Sequence, residues 1–215
     1  MRYYISDCHF FHGAMNEKMD RRGFSDTEEM NRVMIERWNS RVRKNDEVVI
    51  LGDLSWGGAT QTALLLRELK GKKFLLEGNH DRFLSTSTFD RDLYFGWIAP
   101  YREMNDDGRK VILCHYPVFC YNGQYRLREN GDAKTYMLYG HVHDTMDERL
   151  VNSFISRTRR TAVEDYSGQL RTIPCNMINC FCMFSGYVPL TLDEWIENDR
   201  IRREKLNGEE ENGNE

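Results

Sequence analysis

The stretch that decides the fold is Lys73-Phe74-Leu75-Leu76-Glu77-Gly78-Asn79-His80-Asp81, in which a short apolar strand is predicted to run directly into a polar loop. The same arrangement occurs upstream, where the predicted strand Glu47-Val48-Val49-Ile50-Leu51 stops at Gly52-Asp53. Between them, residues 59–70 are Leu-rich and predicted to be helical, and Gly71 is a typical C-terminal stop. Strands alternating with helices indicate an α/β layered domain, in which ligands gather at the loops beyond the carboxyl ends of the strands.

The alternation continues outward on both sides of this region. Ser25 and Glu28 match a capping box for a helix that is predicted to end near Asn45, and Thr191 and Glu194 match one for a last helix. Residues 146–160 have poor apolar periodicity and fit either a helix or a mobile insertion. Further strand regions are predicted over residues 2–6, 109–114, 135–139 and 176–184.

Length and composition favour a single domain. The 215 residues are 40% hydrophobic and 30% charged, and no internal repeat or linker divides them, so we predict one domain over residues 1–205. Residues 206–215 are acidic, lack apolar anchors and are predicted to be disordered. The net charge of -4 gives no broad basic field for nucleic acid. Without a signal peptide or a membrane-spanning segment in the pattern, we expect no membrane partner and a cytoplasmic location.

The six cysteines are expected to be reduced thiols, because a chain of this size needs no disulfides for stability. Three of them cluster in sequence at Cys175, Cys180 and Cys182. Their spacing differs from that of a zinc ribbon, so small buried hydrophobic residues are the favoured interpretation over half of a zinc site.

All the histidines fall in short polar stretches that follow predicted strands. One such histidine alone would fit a solvated loop or a packed core residue. The coincidence of six of them with Asp7, Asp53 and Asn79 instead indicates a shared site. The six are His9, His12, His80, His115, His141 and His143.

The residue types and their spacing are typical of a metal site. In an extended segment, residues two apart point to the same side, so Asp7 and His9 are expected to address one ion together. Oxygen and imidazole ligands suit divalent ions such as manganese, iron, zinc, cobalt or nickel. Seven ligands exceed one tetrahedral site but fit two ions about 3.5–4 Å apart that share a carboxylate. The seven candidates are Asp7, His9, Asp53, Asn79, His115, His141 and His143.

Five short blocks, in a fixed order, resemble the calcineurin-like metallophosphoesterase family. They are D-x-H at 7–9, G-D at 52–53, G-N-H-D at 78–81, the lone His115 and G-H-x-H at 140–143. The first two blocks alone carry little information, whereas the ordered set is specific. The resemblance implies a four-layer αββα sandwich, with two mixed β-sheets face to face and helices outside.

The resemblance also implies roles for these residues. Asp7, His9 and His143 would hold the first ion, with Asp53 as the bridge. Asn79, His115 and His141 would hold the second. With manganese as the expected metal, a hydroxide between the ions would attack the phosphate. His80 matches the family's histidine beside the scissile phosphate and would protonate the leaving oxygen. Asp81 would orient that imidazole or hold a nearby backbone group.

Two departures from relatives narrow the function. The G-D block continues as Leu54-Ser55-Trp56-Gly57-Gly58, without the Asp-Arg-Gly segment of protein Ser/Thr phosphatases, which argues against that activity. The D-x-H block continues to His12, as in a small bacterial-type branch. His12 is therefore either a residue that contacts substrate or supports a ligand, or a plain loop histidine. A contact with phosphate groups is the alternative for several arginines, but a solvated surface role is favoured for each: Arg21, Arg22, Arg82, Arg126, Arg128 and those within 157–160.

The sequence therefore predicts a metal-dependent phosphodiesterase or phosphomonoesterase that acts on a small molecule or a nucleotide. A nuclease is the alternative enzyme, disfavoured because the chain lacks an obvious basic platform. A scaffold without turnover is the third interpretation. Such scaffolds tend to lose ligands or the general-acid histidine, and this chain keeps all of them. The sequence carries no signal for the oligomeric state.

Overall fold

Two four-stranded sheets form the centre of the protein. The computed structural model describes the backbone of residues 1–212 and the side chains of residues 1–205. The first sheet has the order β1-β2-β3-β4, and its neighbouring strands are parallel. These strands are β1 (Arg2–Ile5), β2 (Glu47–Ile50), β3 (Lys72–Leu76) and β4 (Phe95–Ala99).

The second sheet is mixed. Its strands are β5 (Tyr101–Asp106), β6 (Arg109–Cys114), β7 (Thr135–Tyr139) and β10 (Met177–Asn179). They lie in the order β10-β7-β6-β5, with β5 antiparallel to β6 and the other pairs parallel. A separate two-stranded hairpin consists of β8 (Val163–Glu164) and β9 (Leu170–Arg171).

Within residues 1–212, five α-helices connect and cover the sheets. They are α1 (Thr27–Arg41), α2 (Ala59–Glu68), α3 (Arg91–Tyr94), α4 (Met146–Arg160) and α5 (Leu192–Asn212). Within the described residues, none of these helices has the length and apolar character needed to cross a bilayer.

Alternation along β2 explains how the first sheet is covered on both faces. Val48 and Ile50 point to one side, where they share a buried cluster with Met34 of α1 and Leu65 of α2. Val49 points to the other side, into the space between the sheets. Successive side chains of a strand face opposite ways, so a continuous apolar run is the pattern expected of a sheet buried on both faces.

The second sheet is buried in the same way. Leu113 of β6 belongs to the cluster between the two sheets. Its neighbour Ile112 faces outward and packs in a third cluster with Val151 and Ile155 of α4. Helices, sheet, sheet and helix therefore follow one another, which confirms the predicted four-layer αββα sandwich.

Helix boundaries differ from the sequence prediction in small, explicable ways. The N-cap of α1 is Asp26, which accepts from the Glu29 N–H, while the Ser25 N–H donates to Glu29, so the predicted box at Ser25 is shifted by one residue. Asp is at least as good an N-cap as Ser. This helix ends at Arg41 rather than near residue 45, because buried Val42 is already extended. The box at Thr191 and Glu194 is confirmed.

Helix α4, strand β10 and helix α5 in the C-terminal half bear on three of the sequence predictions. Residues 146–160 form helix α4 rather than a mobile insertion, and Thr145 caps it by accepting from the Asp147 N–H. The strand predicted over 176–184 is limited to β10, and a short 3₁₀ turn follows at Cys182–Ser185. Helix α5 includes residues 206–212, where the composition predicts disorder, and residues 213–215 lie outside the described residues.

All six cysteines are free thiols, as predicted. The three clustered in sequence do not converge in space, because each belongs to a different apolar cluster. Cys182 packs on the helix side of the first sheet, Cys180 between the sheets and Cys175 beneath α4. Buried hydrophobic residues are therefore the correct interpretation of this group.

Candidate active site

Loops from both sheets build one polar site. Asp7, Asp53 and Asn79 come shortly after the ends of β1, β2 and β3 in the first sheet. His115 and His141 follow the ends of β6 and β7 in the second. Because these strands are parallel within each sheet, their carboxyl ends lie at a common edge, and polar side chains distant in sequence meet there.

The first donor group consists of Asp7, His9 and His143. All three are buried, and one potential ligand atom from each lies within 4.8 Å of the others. The Nε2 atoms of His9 and His143 are 3.3 Å apart, and Nε2 of His143 is 3.6 Å from Oδ1 of Asp7. A carboxylate and two imidazoles thus face a common point.

The second donor group consists of Asn79, His115 and His141. Oδ1 of Asn79 lies 3.0 Å from Nε2 of His115 and 3.0 Å from Nδ1 of His141. The other ring nitrogen of His115, Nδ1, is 2.8 Å from the Leu51 carbonyl oxygen, and this contact fixes the orientation of the ring.

Asp53 lies between the two donor groups. Its Oδ2 atom is 3.5 Å from Nε2 of His9 and 3.6 Å from Nε2 of His115. Its other oxygen, Oδ1, accepts a hydrogen bond of 2.8 Å from the His80 N–H. All seven residues predicted as ligands are therefore brought together, and their carboxylate, amide and imidazole donors fit divalent cations.

The backbone of the donor residues is unusual. Asp7, His9, Asp53, His141 and His143 have φ values of 54°, 47°, 52°, 71° and 48°, in the left-handed region that side chains rarely adopt. The predicted extended geometry of the Asp7–His9 segment is therefore wrong, although both side chains do reach the same donor group. Backbone strain of this kind clusters at functional sites.

Two motif glycines are explained by close approach. A Cβ atom at Gly78 would collide with Oδ1 of Asp53, and one at Gly140 would collide with Oδ2 of Asp7. Each glycine therefore makes room for a carboxylate that belongs to a different loop.

The three members of the first donor group differ in the direction of their pKa shifts. Burial alone would raise the pKa of Asp7, but the hydrogen bond and charge of His143 outweigh it and hold that pKa well below its ordinary value. Burial alone would lower the pKa of His143, but hydrogen bonds to Asp20 and Asp7 raise it to about 10. Burial keeps the pKa of His9 low. The carboxylates of Asp7 and Asp20 therefore favour positive charge at this donor group.

Asp20 and Arg22 support this group, and sequence reasoning missed them. Oδ1 of Asp20 accepts a hydrogen bond of 2.7 Å from Nδ1 of His143, which leaves Nε2 directed at the donor group. Oδ2 of Asp20 pairs with Arg22, and Arg22 in turn donates to the carbonyl oxygens of Asp7 and Cys8. The surface role expected for Arg22 is wrong, since its guanidinium is buried.

His80 and His12 lie beside the donor groups. The His80 ring centroid is 5.5 Å from that of His9, and among the described residues no hydrogen-bond partner reaches its buried Nδ1 atom. His12 stacks on Trp56 with ring centroids 4.0 Å apart and planes inclined by 11°. His12 therefore belongs to the rim of the site and not to a donor group.

The Asp81 carboxylate accepts hydrogen bonds from backbone N–H groups. This is the second of the two roles expected of it. Its Oδ2 atom accepts from the N–H groups of Asp53 (2.9 Å) and Gly78 (3.0 Å), and Oδ1 accepts from that of Leu54 (2.8 Å). Burial and the charge of Asp53 raise the pKa of Asp81 to about 7, and the three donors, which favour the ionised form, oppose that shift. Asp81 thus ties the G-N-H-D loop to the loop that carries Asp53.

Comparison with known proteins agrees with this geometry. The calcineurin-like phosphoesterase family matches residues 3–205. An uncharacterized protein of Methanocaldococcus jannaschii is 34% identical over 143 residues, which cover 66% of this chain and 68% of that protein. The gene 66 protein of a Mycobacterium phage is 32% identical over 184 residues, which cover 75% of this chain and 85% of that protein.

A solved structure shares the fold. The crystal structure of a protein of unknown function from Aquifex aeolicus superposes with a TM-score of 0.60 at 23% identity, covering 90% of this chain and 96% of that one. The family match spans nearly the whole chain and includes every loop of the site. The chain therefore belongs to the calcineurin-like phosphoesterase family.

Proposed function

We propose that the protein is a phosphoesterase that uses two divalent metal ions to hydrolyse a phosphodiester or a phosphomonoester. The observation that carries this proposal is the position of Asp53, whose Oδ2 atom lies at nearly equal distances from His9 and His115. This position supports a role for Asp53 as a ligand shared by two ions. The full set of proposed ligands is Asp7, His9, Asp53, Asn79, His115, His141 and His143.

The donor set indicates what the ions would be and what they would do. Imidazole nitrogens with carboxylate and amide oxygens suit manganese best, with iron, zinc, cobalt and nickel as alternatives. When bound, two such ions supply charge neutralisation for the phosphate and an acidified water as nucleophile.

His80 is the proposed general acid. Its backbone N–H donates to Oδ1 of Asp53, so the main chain of His80 is held beside the proposed bridging carboxylate. Departure of an alkoxide or phenoxide requires a proton, which a histidine beside the leaving oxygen can donate.

Metal analysis and a substrate screen test the function together. After reconstitution with manganese and gel filtration, elemental analysis should find about two ions per chain. The loaded protein should hydrolyse members of a panel of phosphomonoesters, phosphodiesters, cyclic nucleotides and short oligonucleotides. Failure to retain any ion would contradict the metal proposal, and retention of two ions without hydrolysis of any ester would contradict the enzymatic one.

His80→Ala should keep both ions but slow hydrolysis according to the leaving group. Phenyl esters, whose leaving group is a poor one, should be hydrolysed about 10²–10⁴-fold more slowly, whereas 2,4-dinitrophenyl esters should change far less. The measurement is kcat for both esters together with the metal content. Equal slowing of the two esters would argue against proton donation by His80.

Asp20→Asn should weaken binding of one ion. The substitution removes the charge that fixes His143 and pairs with Arg22, and the loss of such a supporting carboxylate typically lowers metal affinity by about 10–100-fold. Calorimetric titration with manganese should show one weakened site and one unchanged site. Asp90→Asn is the matched control, because exposed Asp90 only caps α3. Unchanged affinity at both sites would refute this role.

A further inference from the structure

Two exposed aromatic side chains border different parts of the candidate active site. Trp56 is 42% exposed, and its ring centroid lies 5.1 Å from that of His80. Tyr116 is 45% exposed, and its ring lies 4.5 Å from that of His141 in an edge-to-face contact. An exposed aromatic ring beside a polar site offers a face on which a ring of a ligand can stack.

Trp56 is held rigidly in its exposed position. Its backbone N–H donates to the Phe10 carbonyl oxygen (2.9 Å), and the Phe10 N–H donates to that of Leu54 (3.0 Å). The imidazole of His12 stacks on the indole, and the guanidinium carbon of Arg82 lies 5.5 Å from the indole ring centroid. A ring that is fixed before binding loses little conformational entropy when a ligand contacts it.

Tyr116 is positioned by two histidines of the second donor group. Its ring makes edge-to-face contacts with His141 and with His115, whose ring centroids are 4.5 Å and 5.0 Å away. His115 is buried and fixed by the Leu51 carbonyl oxygen. The phenol ring is therefore anchored at the second donor group, whereas Trp56 contacts His80 and His12.

We propose that the substrate is a phosphodiester that joins two ring-bearing groups, such as two nucleosides. The inference rests on the proposed phosphoesterase function, and it concerns what surrounds the phosphate. The leaving oxygen must lie beside the general acid His80, so the leaving group lies beside Trp56. The second substituent then extends past the donor groups towards Tyr116. A phosphomonoester has no second substituent and would leave Tyr116 without a partner.

The reaction itself is unchanged by this assignment. Water adds to phosphorus, the bond from phosphorus to the oxygen on the Trp56 side breaks, and His80 supplies the proton to that oxygen. The products are a phosphomonoester, which keeps the group beside Tyr116, and the alcohol or phenol that was beside Trp56.

Two synthetic diesters separate the contributions of the two rings. Bis(p-nitrophenyl) phosphate and methyl p-nitrophenyl phosphate have the same leaving group, but only the first carries a ring as its second substituent. The ratio of their kcat/KM values therefore reports on the second ring. Tyr116→Ala should lower this ratio about tenfold, within the roughly 5–100-fold that loss of an aromatic stack causes, while Tyr116→Phe should preserve it.

Trp56→Ala should give the opposite pattern. It should lower kcat/KM for both diesters by a similar factor, again about tenfold, and leave their ratio unchanged, because both present the same ring to Trp56. Tyr166→Ala, which removes an exposed ring in the hairpin between β8 and β9, is the matched control and should alter neither quantity. Metal content and the melting temperature of each variant establish that the fold is intact.

The outcomes distinguish this inference from the function on which it rests. An unchanged ratio in Tyr116→Ala, or an unchanged kcat/KM for both diesters in Trp56→Ala, would overturn the assignment of the two rings. Hydrolysis of p-nitrophenyl phosphate without hydrolysis of either diester would overturn the diester inference alone. If the manganese-loaded protein hydrolyses none of the three esters, the phosphoesterase proposal itself fails.

Discussion

Asp53→Ala should weaken binding of both metal ions and with it remove nearly all hydrolysis of every substrate. Oδ2 of Asp53 lies 3.5 Å from a ligand of the first donor group and 3.6 Å from one of the second, so its removal affects both. The affinity for each ion should fall by more than the roughly 10–100-fold that supporting residues cause. The kcat/KM value should fall by about a thousandfold or more. Calorimetric titration with manganese and steady-state kinetics measure the two effects.

The control for Asp53 is a ligand that serves only one group. His141→Ala removes a half-buried ring that contacts Asn79 of the second donor group. The variant should bind one ion more weakly and keep its affinity for the other. If Asp53→Ala also lost only one ion, Asp53 would be an ordinary ligand and not a bridge. Asp53→Asn, which keeps the shape and an acceptor for the His80 N–H, shows how much of the loss comes from the charge.

Among Asp→Asn substitutions at the site, Asp81→Asn should lower the free energy of unfolding the most. Both carboxylate oxygens accept from backbone N–H groups, so an amide places its own NH₂ against at least one of these donors. Leaving a buried N–H donor unsatisfied should cost about 2 kcal/mol. Urea denaturation at pH 5, below the pKa of about 7 for Asp81, measures the change in the free energy of unfolding. The raised pKa means that the buried charge costs stability, so the loss in Asp81→Asn should be smaller at pH 8.

Asp26→Asn is the matched control for that substitution. Asp26 caps α1 at the surface by accepting a single N–H, that of Glu29, and asparagine is an equally good N-cap. The free energy of unfolding of the Asp26→Asn variant should differ from that of the unmodified protein by less than about 0.5 kcal/mol. A similar small loss in Asp81→Asn would mean that the three backbone contacts contribute little to stability.

The sheets and the donor residues could be predicted from the sequence because both depend on local signals. A short apolar run such as residues 47–51, ended by Gly52, indicates a strand buried on both faces, and β2 is such a strand. The polar residues that follow each run were then expected at one edge. The four-layer arrangement came from the resemblance, since apolar runs alone do not specify how many sheets form or how they pack.

The remaining features depend on contacts between distant segments. Asp20 reaches His143 across 123 residues, and no local pattern distinguishes it from a solvated aspartate. Arg22 lies beside Arg21 in sequence, yet only Arg22 is buried. The left-handed backbone at Asp7 is equally invisible, because the sequence specifies residue types and not dihedral angles.

The division of the donor residues between the two sheets has a thermodynamic consequence. Asp53 comes from the first sheet and His115 from the second, and their donors face each other across the interface between the layers. An ion held by both can bind only when the sheets are docked, so its binding free energy adds to the cohesion of the sandwich. At a free concentration one hundred times its Kd, each ion would contribute about 2.7 kcal/mol to folding. Under the proposed function, catalysis and the docking of the two sheets would depend on the same ions.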